Sequence, residues 1–129
     1  MMDKKVLVVD DEIHIVHVVA IKLRNSGYEV ISAENGAEAL KLVFEEKPDI
    51  IVTDFQMPVM TGLEFVKKLR QSESTKDIPV IMLTARDFAI DEEQKRDLQI
   101  SAFLSKPFSP KELLRGIEDI LYQKVTSGT

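Results

Sequence analysis

The sequence predicts a doubly wound α/β fold: a five-stranded parallel sheet with five helices on its two faces. Three observations carry that expectation. Short runs of branched apolar residues recur along the 129-residue chain, among them Val6-Leu7-Val8-Val9, Ile50-Ile51-Val52 and Val80-Ile81-Met82-Leu83. Runs without polar alternation suit strands covered on both faces. Stretches with helical spacing alternate with these runs, and right-handed crossovers then make the sheet parallel. Finally, the first, third, fourth and fifth strands each end in a polar signal: Asp10-Asp11, Asp54, Thr84 and Lys106. A parallel sheet brings all of those ends to one edge.

In order, Met1 to Lys4 reads as a frayed start before the first strand. A helix from about Glu12 to Asn25 has Gly27 placed for a left-handed stop, and the acids at its start suit the positive end of the helix dipole. Tyr28 to Ser32 reads as the second strand, ended by Asn35-Gly36. The next helix, Ala37 to Glu46, turns Ala37, Leu40, Val43 and Phe44 inward, and Pro48 closes it. The central strand carries Asp54. Gly62 opens a third helix with Phe65, Val66 and Leu69 inward and Lys67, Lys68 and Arg70 outward. Asp91 to Asp97 holds no apolar residue. As a helix it is anchored only at its flanks, by Phe88, Ile90 and Leu98. Ala102 to Leu104 makes a short fifth strand. Ser109-Pro110-Lys111-Glu112 is a capping box with Pro at the first helical position. The last helix turns Leu113, Leu114, Ile117, Ile120 and Leu121 inward and runs to about Lys124. The chain reads as one domain over residues 1–129, its core from about 4 to 122, with 125–129 a tail or the start of a linker.

Composition removes several classes of function. The net charge of −5 argues against nonspecific nucleic-acid binding, which needs a basic face. No apolar run approaches the roughly 18 residues of a membrane span, so no membrane partner is expected. The absence of Cys rules out thiolate metal sites and fits a cytoplasmic setting.

What remains is the polar edge. Carboxylates crowded within about 4 Å repel by about 4 kcal/mol per pair at an effective dielectric near 20. Such a cluster persists by binding a hard cation or keeping a proton. An all-oxygen set suits Mg²⁺ better than zinc, because His14 and His17 lie on the first helix, away from the strand ends. With one hydroxyl, Thr84, and one ammonium, Lys106, the set suits phosphoryl transfer onto a carboxylate. Asp54 is then the nucleophile, Mg²⁺ neutralises the phosphoryl oxygens, and Lys106 and Thr84 bind them. Each of these residues alone reads as a cap or a solvated side chain. Together, each at its own strand end, they do not.

These residues carry a resemblance. Val9-Asp10-Asp11-Glu12, Asp54 with Met57-Pro58 and Gly62, Thr84-Ala85 and Lys106-Pro107-Phe108 resemble, in order and separation, the response-regulator receiver domain of two-component signalling, the chemotaxis regulators included. The likeness runs from Lys4 to about Tyr122. It implies a flavodoxin-like sheet of order 2-1-3-4-5. It also implies that a histidine kinase or histidine phosphotransfer protein donates a phosphoryl group to Asp54. Mg²⁺ would be held by Asp11, Asp54 and the backbone carbonyl of Gln56, with Asp10 acting largely through water. Thr84 and Phe103 would be the switch pair. The protein would then be a phosphorylation-dependent switch that modifies and demodifies itself, and not a turnover enzyme. Thr61, Gln99-Ile100 and the polar stretch Glu93 to Arg96 depart from the family's usual pattern and leave the packing of the fourth helix open.

Two rivals are weaker. An aspartyl phosphohydrolase needs a general acid beside its nucleophile and a cap over its substrate, yet Gln56 stands two residues after Asp54 and the chain is short. A degenerate receiver would lack Asp11, Asp54 or Lys106, and all are present. For partner docking, helical spacing on the first helix puts Ile15, Val18, Val19 and Leu23 inward. It leaves Ile13, Val16 and Ala20 as a second apolar arc for the donor's helices.

Overall fold

The apolar runs become strands because nothing in them can face water. In the computed structural model, which describes residues 4–85 and 92–127, five strands alternate with five helices. They are β1 (Lys5–Val9), α1 (Ile13–Asn25), β2 (Glu29–Ala33), α2 (Gly36–Glu46), β3 (Ile50–Asp54), α3 (Gly62–Arg70), β4 (Val80–Thr84), α4 (Glu92–Leu98), β5 (Ala102–Ser105) and α5 (Pro110–Ser127). The strands form one parallel sheet in the order β2-β1-β3-β4-β5. The expected fold is the observed one.

Successive side chains of each strand feed two separate cores. Val6, Val8, Ile50, Val52, Ile81 and Leu83 meet α1 and α5 on one face. Leu7, Val9, Ile51, Val80 and Met82 meet α2 and α3 on the other. Every residue of β3 and β4 is buried. Each large side chain so covered contributes on the order of 1.5–3 kcal/mol, and this fixes the strand ends that carry the site.

Several expectations are corrected. Val19, Ala20 and Leu23 are buried, with Ile15 and Val16 packed against the same core, whereas Val18 faces outward at 52% exposure. Ala20 therefore does not belong to a free docking arc, whereas Val16 is half-buried and lines a surface hollow beside Ile13. The reason is geometric: α1 lies in the angle between the sheet and α5, so its covered arc is turned toward α5 relative to a helix lying flat on a sheet. On α2, Ala39 joins the core beside Val43, while Ala37 and Phe44 are exposed. The last helix extends past Lys124 to Ser127, so most of the expected tail continues α5. Phe88, Ile90 and Asp91 lie outside the described residues.

Arg70 also departs from expectation. It is half-buried and donates to four backbone carbonyls: Leu98 (2.8 Å), Gln99 (3.3 Å), Lys76 (2.8 Å) and Ile78 (2.8 Å). Burial pulls its pKa down, with the Asp77 charge opposing. None of the residues of α4 is buried. Arg70 thus ties the C-terminal end of α4 to α3, and Leu98 and Ile100 add apolar contact. Gln99, which follows α4, has φ 54, a left-handed conformation that glycine adopts without a Cβ clash. The departures at Glu93 to Arg96 and at Gln99 therefore describe a helix held by its C-terminal end. Thr61 has a plain structural role: it caps α3 in a reciprocal box with Glu64.

Candidate functional site

The site is built where β1, β3, β4 and β5 end. β1 runs directly into Asp10, whose side chain is fully buried. Its Oδ1 accepts from the Glu12 N–H at 2.9 Å, and this bond turns the chain into α1. Asp54 closes β3 and is 7% exposed; Thr84 closes β4 and is buried to the same extent. The Thr84 carbonyl accepts from the Lys106 N–H at 2.7 Å, and this seats the lysine beside the acids. The peptide between Lys106 and Pro107 is cis.

Lys106 is the centre of the arrangement. Its Nζ lies 2.7 Å from Glu12 Oε1, 3.1 Å from Asp10 Oδ2 and 3.4 Å from Asp54 Oδ1. Burial works against the lysine's charge. The bond to Glu12 and the charges of Asp10 and Asp54 outweigh that and hold its pKa above the ordinary value. Asp10 Oδ2 is near enough to Lys106 for an ion pair but has no aligned hydrogen-bond donor.

The acids are strained electrostatically. Burial, reinforced by the Asp10 charge and opposed by Lys106, pushes the Asp54 carboxyl up to about 6. Burial likewise raises Asp10. Among the described residues, one carboxylate oxygen each from Asp10, Glu12 and Asp54 lies within 4.8 Å of the others. A buried Asp10 oxygen whose charged neighbour is Lys106 at 3.1 Å, within a set of carboxylates, fits a site that a hard divalent cation such as Mg²⁺ could share with the lysine.

Of the residues expected at the metal, Asp11 is exposed and lines the same pocket as Asp54 and Gln56. It falls outside the tight cluster, where Glu12 stands instead. From the sequence, Glu12 has the look of a helix-start acid and no more. It occupies the N-cap position of α1 but makes no capping bond. A signal existed: a third consecutive acid after β1, one more than the turn requires. Phe103 is half-buried against the core under α3 and α4, and Lys95 Nζ lies 4.9 Å from its ring centroid. Phe103 pairs with Met82 across the β4–β5 ladder, and Thr84 lies two residues further along β4. Thr84 and Phe103 thus face the same side of the sheet. His14 and His17 are exposed on α1 and belong to no metal cluster among the described residues.

A second hollow adjoins the first. A groove of about 630 Å³ runs between α1 and the β5–α5 loop, with Val18, Val19, Pro107 and Phe108 in its walls. Glu12, Ala85 and Lys106 line both the groove and the acid pocket.

Fold and site together define an α/β domain that offers a desolvated aspartate, a lysine and a cluster of carboxylates of the kind that can hold a cation, all at one sheet edge. Residues 6–118 match the family described as response regulator receiver domain, and the chain belongs to that family. It is 44% identical over 120 residues to the alkaline phosphatase synthesis transcriptional regulatory protein PhoP of Bacillus subtilis, covering 93% of this chain and 49% of that protein. It is 38% identical over 122 residues to the phosphate regulon transcriptional regulatory protein PhoB of Escherichia coli, covering 93% of this chain and 52% of that one. The chain thus spans about half the length of these relatives. Among solved structures, the chemotaxis response regulator CheY4 of Vibrio cholerae superposes with a TM-score of 0.84 at 37% identity, covering 92% of this chain and 99% of that one. The receiver domain of the sensor histidine kinase PA1611 of Pseudomonas aeruginosa, described with magnesium coordinated in its active-site cleft, has a TM-score of 0.80 at 28% identity. It covers 91% of this chain and 96% of that one. Receiver domains are phosphorylation-dependent signalling switches rather than turnover enzymes, and this chain is one of them.

Proposed function

We propose that Asp54 is the residue that accepts the phosphoryl group, from a phosphohistidine on a histidine kinase or phosphotransfer protein. The observation that carries this reading is a buried carboxylate at the end of β3 with Lys106 3.4 Å away and the carboxylates of Asp10 and Glu12 close by. A carboxylate oxygen of Asp54 attacks phosphorus, the bond from phosphorus to the donor nitrogen breaks, and an acyl phosphate forms. Lys106 donates to a phosphoryl oxygen, and the Thr84 hydroxyl donates to another after turning toward it. Mg²⁺, when bound, offsets the negative charge of the carboxylates and the incoming group. Asp10, Asp11, Asp54 and the Gln56 carbonyl are proposed to hold it, and the magnesium described in the active-site cleft of the PA1611 receiver supports an ion at this place. Phe103 follows Thr84 inward and reports the change to α4, whose Lys95 rests on its ring. Slow hydrolysis of the acyl phosphate returns the switch to rest.

Incubation with Mg²⁺ and acetyl phosphate is expected to add one phosphoryl group to Asp54, read by mass spectrometry. An Asp54→Asn protein should stay unlabelled, and labelling of that variant at the wild-type rate would refute the assignment.

The donor docks on α1, over the residues that the structure leaves outward. Val18 (52% exposed) lines the groove that leads to Lys106, and Ile21 (58%) and Ile13 (61%) are further exposed apolar residues of α1. Val18→Asp is expected to slow transfer from the cognate kinase at least tenfold, because a buried apolar contact contributes on the order of 1.5–3 kcal/mol. Labelling by acetyl phosphate should stay within about twofold, a change worth roughly 0.4 kcal/mol. Equal slowing with both donors would place Val18 in the fold and not in the docking surface.

A further inference from the structure

We infer that Glu12 is a latch on Lys106: it holds the lysine in the resting protein and must release it before Lys106 can bind a phosphoryl group on Asp54. The inference rests on the reading of Asp54 as acceptor and extends it to a positioning residue. The geometry points to Glu12 in two independent ways.

Its carboxylate makes the shortest of the three contacts to Lys106, at 2.7 Å against 3.1 and 3.4 Å for Asp10 and Asp54. An ammonium drawn toward Glu12 is drawn away from the acceptor. A phosphoryl group on Asp54 brings new anionic oxygens to the same pocket, and Lys106 has to be shared with them or handed over.

The second argument is conformational. Glu12 sits at the N-cap of α1 with extended backbone (φ −90°, ψ 100°), yet its side chain caps nothing. The N–H groups of a helix's first turn are donors from which an acid there can accept. Glu12 leaves them and reaches across to the β5–α5 loop. Its side chain is 57% exposed, against none for Asp10, so it can swing out where Asp10 cannot. Released, it has the start of α1 as an alternative partner. Because Glu12 also lines the apolar groove beside α1, a molecule seated in that groove would meet the latch before it met Asp54.

The test uses the full chain and beryllofluoride, a tetrahedral phosphoryl mimic that needs no phosphodonor, with binding read by ¹⁹F NMR. Removing a competing partner of an exposed ion pair is worth up to about fivefold. Glu12→Gln and Glu12→Ala are therefore expected to bind beryllofluoride about two- to fivefold more tightly than wild type at saturating Mg²⁺. In a Lys106→Gln background the same Glu12 substitutions should give no gain, because the two residues act as one coupled pair. Mg²⁺ alone, titrated by calorimetry, should bind Glu12→Gln within about threefold of wild type, as expected for loss of a nearby charge and not of a ligand. A gain that survives in the Lys106→Gln background, or no gain at all, would overturn the latch. So would a tenfold loss of Mg²⁺ affinity, which would make Glu12 a metal ligand. A wild-type protein that binds no beryllofluoride would refute the Asp54 reading, and the latch with it.

Discussion

Replacing Asp54 with Asn is expected to stabilise the metal-free protein by about 1–3 kcal/mol at pH 7.5, since each unit of pKa shift corresponds to about 1.4 kcal/mol. The sign follows from the direction of the shift. Asp54 has a folded-state pKa of about 6 against an ordinary 3.8, raised chiefly by burial and next by the charge of Asp10. The folded chain therefore holds the proton more tightly than the unfolded one. The stability that the neutral carboxyl contributes is fully present below 3.8 and is lost as pH rises through about 6. Asn resembles the neutral acid at all pH values. The variant's advantage should be largest above pH 7 and should shrink toward zero near pH 4, where urea unfolding of both proteins can be compared. Mg²⁺ should stabilise the wild type more than the variant, because the ion offsets the charge that Asn removes. A variant less stable than wild type at pH 7.5 would mean that the ion pair with Lys106 outweighs the burial of Asp54.

This expectation ties function to fold. On this expectation, a carboxylate kept buried at the end of β3 weighs against the stability of the resting domain, and a cation or a phosphoryl group changes that balance. Such a residue persists for chemistry and not for stability. Asp10, buried and also raised, shares the same condition.

The inner strands β1, β3 and β4 could be read from the sequence because their runs are buried on both faces and tolerate no polar residue, whereas the edge strands β2 and β5 are partly exposed and carry polar residues such as Glu29 and Ser105. The strand order could not be read this way; it came from the likeness of the motifs, which the sheet bears out. The sheet edge could be read because each chemical group follows its strand at once, so topology alone brings Asp10, Asp54, Thr84 and Lys106 together. Orientation within a helix was harder. On α1, apolar residues occupy almost every angle, and only contact with α5 decides that Ala20 is covered and Val18 is not. Helical spacing places Phe44 inward, but Ala39 and Val43 fill the space beneath α2 and Phe44 is exposed. Long polar side chains were the least legible. Arg70 reads as outward and Glu12 as a helix-start acid, yet each reaches partners far away in sequence, Arg70 at Leu98 and Gln99 and Glu12 at Lys106. Local pattern carries no information about such reaches.

Gly62→Ala is expected to cost at least 3 kcal/mol of stability and most of the phosphoryl-accepting activity together, near the upper end of overpacking penalties. After Asp54 the chain folds straight back, with the Gly62 N–H donating to the Phe55 carbonyl at 2.8 Å. A Cβ on Gly62 would overlap the carbonyl oxygen of Asp54 and come within 3.0 Å of Met82 Sδ. Met82 is a flexible side chain, but it is fully buried. The Asp54 carbonyl is backbone and cannot step aside. Either α3 moves off the sheet or the end of β3 shifts, and the second movement displaces the acceptor carboxylate from Lys106. The effect on chemistry should therefore exceed that of a distant core substitution with an equal loss of stability. Phe65→Leu, a cavity-forming change in α3, supplies that comparison. Urea unfolding matched with acetyl phosphate labelling would read both quantities. If Gly62→Ala and Phe65→Leu proteins of matched stability label equally fast, the glycine matters only for packing. If the glycine variant labels much more slowly, close approach at Gly62 is what sets the acceptor in place.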